Sequence, residues 1–190
     1  MPRFDDTLLF SVGELRVWAA WRPPGAPTAP IVARLLAADP AVPSGSGVCH
    51  SPSGAPFLSG VDSPPAISIT HSRDLVAVAV APVGCHVGID AENTGRDRQL
   101  RRVAPRFLSP HQRPLWGATP ESLLRAWTIK EALYKAALIP GLPLEEIPLP
   151  GSSEDTVAVR GRRFATCAVP SPSPDNVISL ARLADFSFND

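Results

Sequence analysis

The chain has 190 residues, of which 44% are hydrophobic and 19% are charged, a balance typical of a globular protein and not of a disordered one. Its 18 basic residues equal its 18 acidic ones, so the overall charge indicates no nucleic-acid or membrane-surface partner. The length allows one large domain or two small lobes that share a core.

The three cysteines, Cys49, Cys85 and Cys167, form no CxxC pair. Their odd number and wide spacing argue against a disulfide framework and indicate a reducing compartment. The dipeptides Cys49-His50 and Cys85-His86 are poor zinc chelators, because adjacent side chains on a strand point to opposite faces. The first ten residues lack the features of a signal peptide and no apolar run could span a bilayer, so we expect a cytoplasmic protein.

The N-terminal half predicts strands and one helix. Residues 15–21 form an apolar strand, and 31–38 have helical spacing before Asp39-Pro40. Residues 39–65 are rich in Pro, Ser and Gly and predict mostly loop. Three strands follow, joined by short turns, and they predict an antiparallel meander: 66–70, 75–81 and 85–92.

The C-terminal half predicts helices and then strands. One helix covers 96–107, a short one starts at Ser109-Pro110, and a third runs from Thr119 to Leu138. Three strands are expected at 156–159, 164–169 and 177–183. This order predicts an α+β fold, in which two similar α+β lobes are possible.

An arginine-rich stretch follows the 85–92 strand. Residues 96–113 carry six arginines and one acid, Asp97. Such a surface would attract an acidic partner or a polyphosphate, and the alternative is a solvated helix face.

Asp90 and Glu92 end a predicted strand, and the two-residue period of a strand puts both carboxylates on one face. Two neighbouring carboxylates need a cation or a proton between them, unless they simply enter a solvated turn.

The helix sequence WTIKEALYK is unusual in its charges. By helical spacing, Trp127, Lys130, Glu131, Tyr134 and Lys135 share one broad face. A surface ion pair between Glu131 and Lys135 would explain two of these five residues without any functional role. However, Lys130 and Lys135 are the only lysines in the chain, and both fall in this helix.

Three carboxylates and a lysine, without histidine, form an oxygen-rich site that suits Mg²⁺ and phosphate chemistry. In this order and spacing, VGIDAE (87–92) and WTIKEALYK (127–135) resemble the paired signature of the 4'-phosphopantetheinyl transferases. ITHS (69–72) resembles the family's Ser-His-Ser strand end, and the resemblance covers about residues 52–149. The length is similar to that of the longer single-chain class, represented by surfactin synthetase activation.

The resemblance implies a role for each matching residue. Asp90 and Glu131 would ligate Mg²⁺, with Glu92 as a third ligand or one acting through water. Glu131 would be the general base, with Glu92 acting through water as the alternative. Lys135 would hold the phosphate and offset charge on the leaving oxygen, and Lys130 would lie nearer the entrance.

For coenzyme A, the co-substrate, the resemblance implies that His71 binds the 3'-phosphate with Thr70 beside it. Thr70 replaces the family's serine, and Ala55 replaces a lysine before Pro56. These departures affect the contacts to the 3'-phosphate and adenine and leave the metal site intact.

As a whole, the resemblance implies one transferase unit over residues 1–190. Its two lobes, about 1–84 and 85–190, would form a pseudo-dimer in a monomeric protein. It would transfer phosphopantetheine from coenzyme A to a serine of an apo acyl or peptidyl carrier protein and release adenosine 3',5'-bisphosphate. The alternatives are a Mg²⁺-dependent phosphohydrolase and a degenerate, non-catalytic homologue that binds coenzyme A or a carrier protein.

Overall fold

The computed structural model describes residues 6–151 and 155–184, and it confirms a mixed α+β fold. Within these residues the strands are β1 (Thr7–Val12), β2 (Leu15–Trp21), β3 (Gly47–His50), β4 (Pro56–Ser59), β5 (Ala66–His71), β6 (Leu75–Ala81), β7 (Val87–Asn93), β8 (Thr156–Val159), β9 (Arg162–Val169) and β10 (Asn176–Leu183). The α-helices are α1 (Thr28–Ala37), α2 (Asp97–Val103), α3 (Arg113–Trp116) and α4 (Pro120–Ala137). No helix in the described part of the chain has the length and apolar character to cross a membrane.

The first sheet has the order β1-β2-β6-β5, and all its neighbours are antiparallel. Every residue of β6 is buried, as its continuous apolar run predicts. Val76, Val78 and Val80 pack with α1 on one face, whereas Leu75 and Ala77 on the other face join a core shared with the second sheet.

The second sheet has the order β7-β10-β9-β8, again antiparallel throughout. The predicted meander of β5, β6 and β7 is therefore wrong in its last strand. β5 and β6 pair as expected, but β7 pairs with β10, the last strand in the described part of the chain. Short turns favour pairing between strands that are neighbours in the sequence. Here, however, α4 packs against β7 and β10, which pair although they are far apart in the sequence.

The two sheets repeat one connection. In the first sheet, β2 leads through α1 to β5 and β6, and the spatial order is β2-β6-β5. In the second, β7 leads through the helices to β9 and β10, and the order is β7-β10-β9. In both sheets a helix therefore follows the first strand of this connection: α1 follows β2, and α4 follows β7 after the shorter helices.

The predicted helices are confirmed with altered bounds. α4 begins where expected, with Thr119 and Ser122 forming a capping box and Pro120 at the first helical position. The helix predicted over 96–107 is shorter, because 3₁₀ turns replace its ends on either side of α2. The short helix α3 starts four residues after Ser109.

Two features were not predicted: β1, and a hairpin of β3 and β4 within the expected loop of 39–65. Both are short and mostly exposed, so they lack the apolar alternation that identifies a half-buried strand. The hairpin lies over β5 and helps to enclose the cavity described below.

Candidate active site

The site forms where β7 meets α4. Gly88 allows this close approach: a Cβ atom at this position would lie 2.0 Å from the Ala132 carbonyl oxygen and 2.6 Å from the Ala136 nitrogen. Two residues further along β7, Asp90 therefore lies beside the face of α4 that carries Glu131 and Lys135.

Asp90 is 7% exposed and is held by two donors on a single oxygen. Lys135 Nζ donates to Asp90 Oδ1 at 2.8 Å, and the Thr70 hydroxyl donates to the same oxygen at 3.2 Å. Lys135 Nζ also donates to the Ile89 carbonyl at 2.9 Å. Asp90 Oδ2 is buried and has no hydrogen-bond partner among the described residues.

Glu131 is half-buried one turn from Lys135, and the lysine pairs with Asp90. Burial raises the pKa of Glu131, and the nearby Asp90 carboxylate raises it further, with a smaller contribution from Glu92. Lys135 opposes this shift in pKa only in part. Asp90, Glu92 and Glu131 thus form one group of interacting negative charges.

Glu92 makes an ion pair with Arg96, four residues later. This arrangement turns its carboxylate toward the start of the arginine-rich stretch. Within the described residues, no three His, Cys, Asp or Glu side chains are grouped closely enough to hold a metal ion together.

The donor set nevertheless fits Mg²⁺. This ion is usually bound by one or two carboxylates, with water and substrate phosphate completing its octahedron. Asp90 supplies a buried oxygen without a partner, and Glu131 supplies a second carboxylate whose ionisation its neighbours oppose. A cation between them would relieve both conditions.

Lys130 does not lie near an entrance, and the prediction placing it there is wrong. Its side chain is fully buried, and Nζ donates to the carbonyl oxygens of Leu144 and Ile147. Residues one apart on a helix differ by about 100° in direction, so Lys130 faces the segment after α4 while Glu131 faces β7. Lys130 therefore holds the chain after α4 in place.

This burial makes stability depend on pH. Desolvation lowers the pKa of Lys130 from 10.5 to about 8, although Glu145 opposes the change. Between these two values the unfolded chain binds more protons than the folded one, so we expect the contribution of Lys130 to the free energy of unfolding to rise as pH rises from about 8 to about 10. Urea unfolding of the wild type and of Lys130→Met at several pH values measures it: the free energy of unfolding of the wild type should rise relative to that of Lys130→Met across this window. Parallel curves would contradict the assignment.

A cavity of about 1070 Å³ reaches Lys135, the ion-pair partner of Asp90, although Asp90, Glu92 and Glu131 are not among its lining residues. Its walls come from α1, the β3–β4 hairpin, β5 and the end of α4. His71 and Lys135 line it, as does His50 at the end of β3. Sequence reasoning considered His50 only as a zinc ligand and did not place it at this cavity, because the β3–β4 hairpin was not predicted. The cavity is largely apolar, with three basic side chains among its lining residues.

Three arginines of the 96–113 stretch are committed to local contacts. Arg96 pairs with Glu92, Arg101 with Asp97, and Arg113 donates to the Leu108 carbonyl. Arg98, Arg102 and Arg106 are exposed. Arg98, Arg102 and Arg106 together form an exposed arginine surface, on the segment that follows β7 in the sequence.

Residues 86–173 match the family model of the 4'-phosphopantetheinyl transferase superfamily. The matched segment contains Asp90, Glu92, Glu131 and Lys135, and the match supports the superfamily that the sequence resembles. No curated protein sequence matches the chain significantly.

Proposed function

We propose that this protein transfers the 4'-phosphopantetheine group of coenzyme A to a serine hydroxyl of an apo acyl or peptidyl carrier protein. The observation that carries the proposal is the grouping of Asp90, Glu131 and Lys135 beside a cavity that Lys135 and His71 line. The superfamily match over the same segment points to the same reaction class.

In the proposed reaction, the serine oxygen of the carrier attacks the β-phosphorus of coenzyme A, and the bond to the bridging oxygen breaks. Adenosine 3',5'-bisphosphate leaves with that oxygen. Glu131 accepts the serine proton, and its raised pKa suits this role; Glu92 acting through water is the alternative. Lys135 Nζ offsets the charge on the leaving phosphate oxygen, and His71 contacts the 3'-phosphate from the cavity wall.

Asp90 and Glu131 would hold a Mg²⁺ ion, with Glu92 as a third ligand after release from Arg96 or through water. When bound, the ion would neutralise charge on the pyrophosphate. Phosphoryl transfer depends mainly on such neutralisation and on positioning, and the charged groups of the site suit both roles.

We further propose that the two sheets with their helices are the lobes of a pseudo-dimer, as in the longer single-chain class. The repeated β-α-β-β connection supports this, with β2, α1, β5 and β6 corresponding to β7, α4, β9 and β10. A single chain then supplies both halves of the site, and the protein is expected to be a monomer.

One experiment tests the function. The chain is incubated with an apo carrier protein, coenzyme A and Mg²⁺, and both products are followed by mass spectrometry. A mass gain of one phosphopantetheine on the carrier, with one adenosine 3',5'-bisphosphate released per transfer, is expected. Hydrolysis of coenzyme A without transfer would indicate a phosphohydrolase, and binding without either product would indicate a non-catalytic homologue.

The exposed arginines predict how the carrier docks. Carrier proteins of this reaction class present an acidic surface beside the modified serine, and opposite charges mainly raise the association rate. We expect Arg102→Glu with Arg106→Glu to raise the KM for the carrier and to weaken its dependence on salt. The KM for coenzyme A and the rate at saturating carrier should stay nearly unchanged.

Arg163→Glu, an exposed charge reversal on β9, is the control for Arg102→Glu and Arg106→Glu when each is also made singly. If the KM for coenzyme A rises instead, these arginines bind coenzyme A phosphates. If neither KM changes, they form a solvated helix face.

A further inference from the structure

Thr70 lies at the junction of the two sheets, where no backbone ladder exists. β7 is an edge strand of the second sheet, so every second N–H of β7 lies outside the pairing with β10. Two hydroxyls of β5 meet these groups: Ile89 N–H donates to Ser68 Oγ at 3.0 Å, and Ala91 N–H donates to Thr70 Oγ1 at 3.1 Å.

The two hydroxyls differ in what they donate to, and Ser68, unlike Thr70, lines the cavity. Each accepts a backbone N–H, which fixes its oxygen as the acceptor and leaves its single hydrogen to be donated elsewhere. Thr70 donates that hydrogen to Asp90 Oδ1, because a carboxylate oxygen can only accept. For Ser68, no such contact to a carboxylate exists among the described residues.

The contact selects one Asp90 oxygen. Thr70 and Lys135 both donate to Oδ1, which fixes the rotation of the carboxylate and leaves the buried Oδ2 without a donor. Thr70 is 5% exposed and is not among the residues that line the cavity, although Ile69 and His71 on either side are. The hydroxyl is therefore directed at the carboxylate and not at a ligand in the cavity.

We infer that Thr70 is a positioning residue for Asp90, which its hydroxyl orients so that Oδ2 is presented to a divalent cation. This rests on the proposed function, because it assigns Asp90 to the metal. Groups that orient a metal ligand typically change metal affinity by roughly 10-fold to 100-fold when they are removed.

The test measures metal binding to the protein without coenzyme A, using Mn²⁺ and the electron paramagnetic resonance signal of the free ion. Thr70→Val, which keeps the shape and removes the hydroxyl, should weaken Mn²⁺ binding by about 10-fold. Thr70→Ser should retain nearly the wild-type affinity. The Mg²⁺ concentration for half-maximal transfer should follow the same order, while the KM for coenzyme A changes little.

Ser68→Ala is the matched control, since it removes the equivalent hydroxyl-to-backbone bond two residues earlier. It should lower the melting temperature about as much as Thr70→Val does and keep the wild-type Mn²⁺ affinity. Equal loss of Mn²⁺ affinity in both variants, or wild-type affinity in Thr70→Val, would overturn the inference.

Asp90→Asn distinguishes an error in the role of Thr70 from an error in the proposed metal site. If it abolishes Mn²⁺ binding while Thr70→Val binds normally, the inference on Thr70 is wrong and the proposed metal site stands. If Asp90→Asn binds Mn²⁺ as the wild type does, the proposed metal site is wrong and the inference fails with it.

Discussion

Replacing Asp90 by asparagine is expected to lower phosphopantetheine transfer by at least about 100-fold, the loss typical when a main electrostatic contact of a transition state is removed. Asparagine keeps the volume and an acceptor for Lys135 and Thr70, so the packing around this nearly buried position should persist. What it loses is the negative charge that we propose binds Mg²⁺. Transfer is measured by mass spectrometry of the carrier over a range of Mg²⁺ concentrations.

The control is Asp62→Asn, which removes a carboxylate from an exposed bend in the loop between β4 and β5. It should leave the rate unchanged, and both variants should melt within a few degrees of the wild type. Near-normal transfer by Asp90→Asn at limiting Mg²⁺ would show that Asp90 does not hold the metal.

Replacing Gly88 by alanine is expected to cost about 3 kcal/mol of stability or more, at the upper end of overpacking effects. The new Cβ atom would lie 2.0 Å from a backbone oxygen of α4, and a helix backbone cannot rotate away as a side chain can. Strand and helix must separate, which also moves Asp90 away from Lys135. Urea unfolding gives the loss of stability, and transfer activity should fall further than the unfolded fraction explains.

Gly151→Ala is the matched control, because a Cβ atom there meets nothing within 4 Å. Its effect should stay within about 0.5 kcal/mol, as is usual for surface changes. A Gly88→Ala protein as stable as Gly151→Ala would mean that β7 and α4 do not approach as closely as described.

The sequence predicted best where the signal was local. The start of α4 follows from the capping residues and Pro120, and the strand at 75–81 follows from a continuous apolar run. The second sheet's late strands were also predicted, because each is rich in β-branched and other apolar residues.

What sequence reasoning missed depends on distant residues. The partner of β7 is β10, and no local pattern shows a pairing between Asp90 and Ser179. The burial of Lys130 depends on two carbonyls beyond the end of α4, so helical spacing alone placed it on the wrong face. For the candidate site, the sequence identified Asp90, Glu131 and Lys135. The contact of Thr70 with Asp90 could not be predicted, because it depends on how the two sheets meet.

The position of β10 also determines when the site can form during synthesis on the ribosome. The first sheet can be completed once residue 81 has emerged, because all its strands precede that point. β7 must wait for Asn176–Leu183, and until then the strand that carries Asp90 has an unsatisfied edge on its β10 side. A nascent chain arrested before residue 176 would contain every strand of the first sheet and every proposed site residue, yet it would lack the strand against which β7 is aligned.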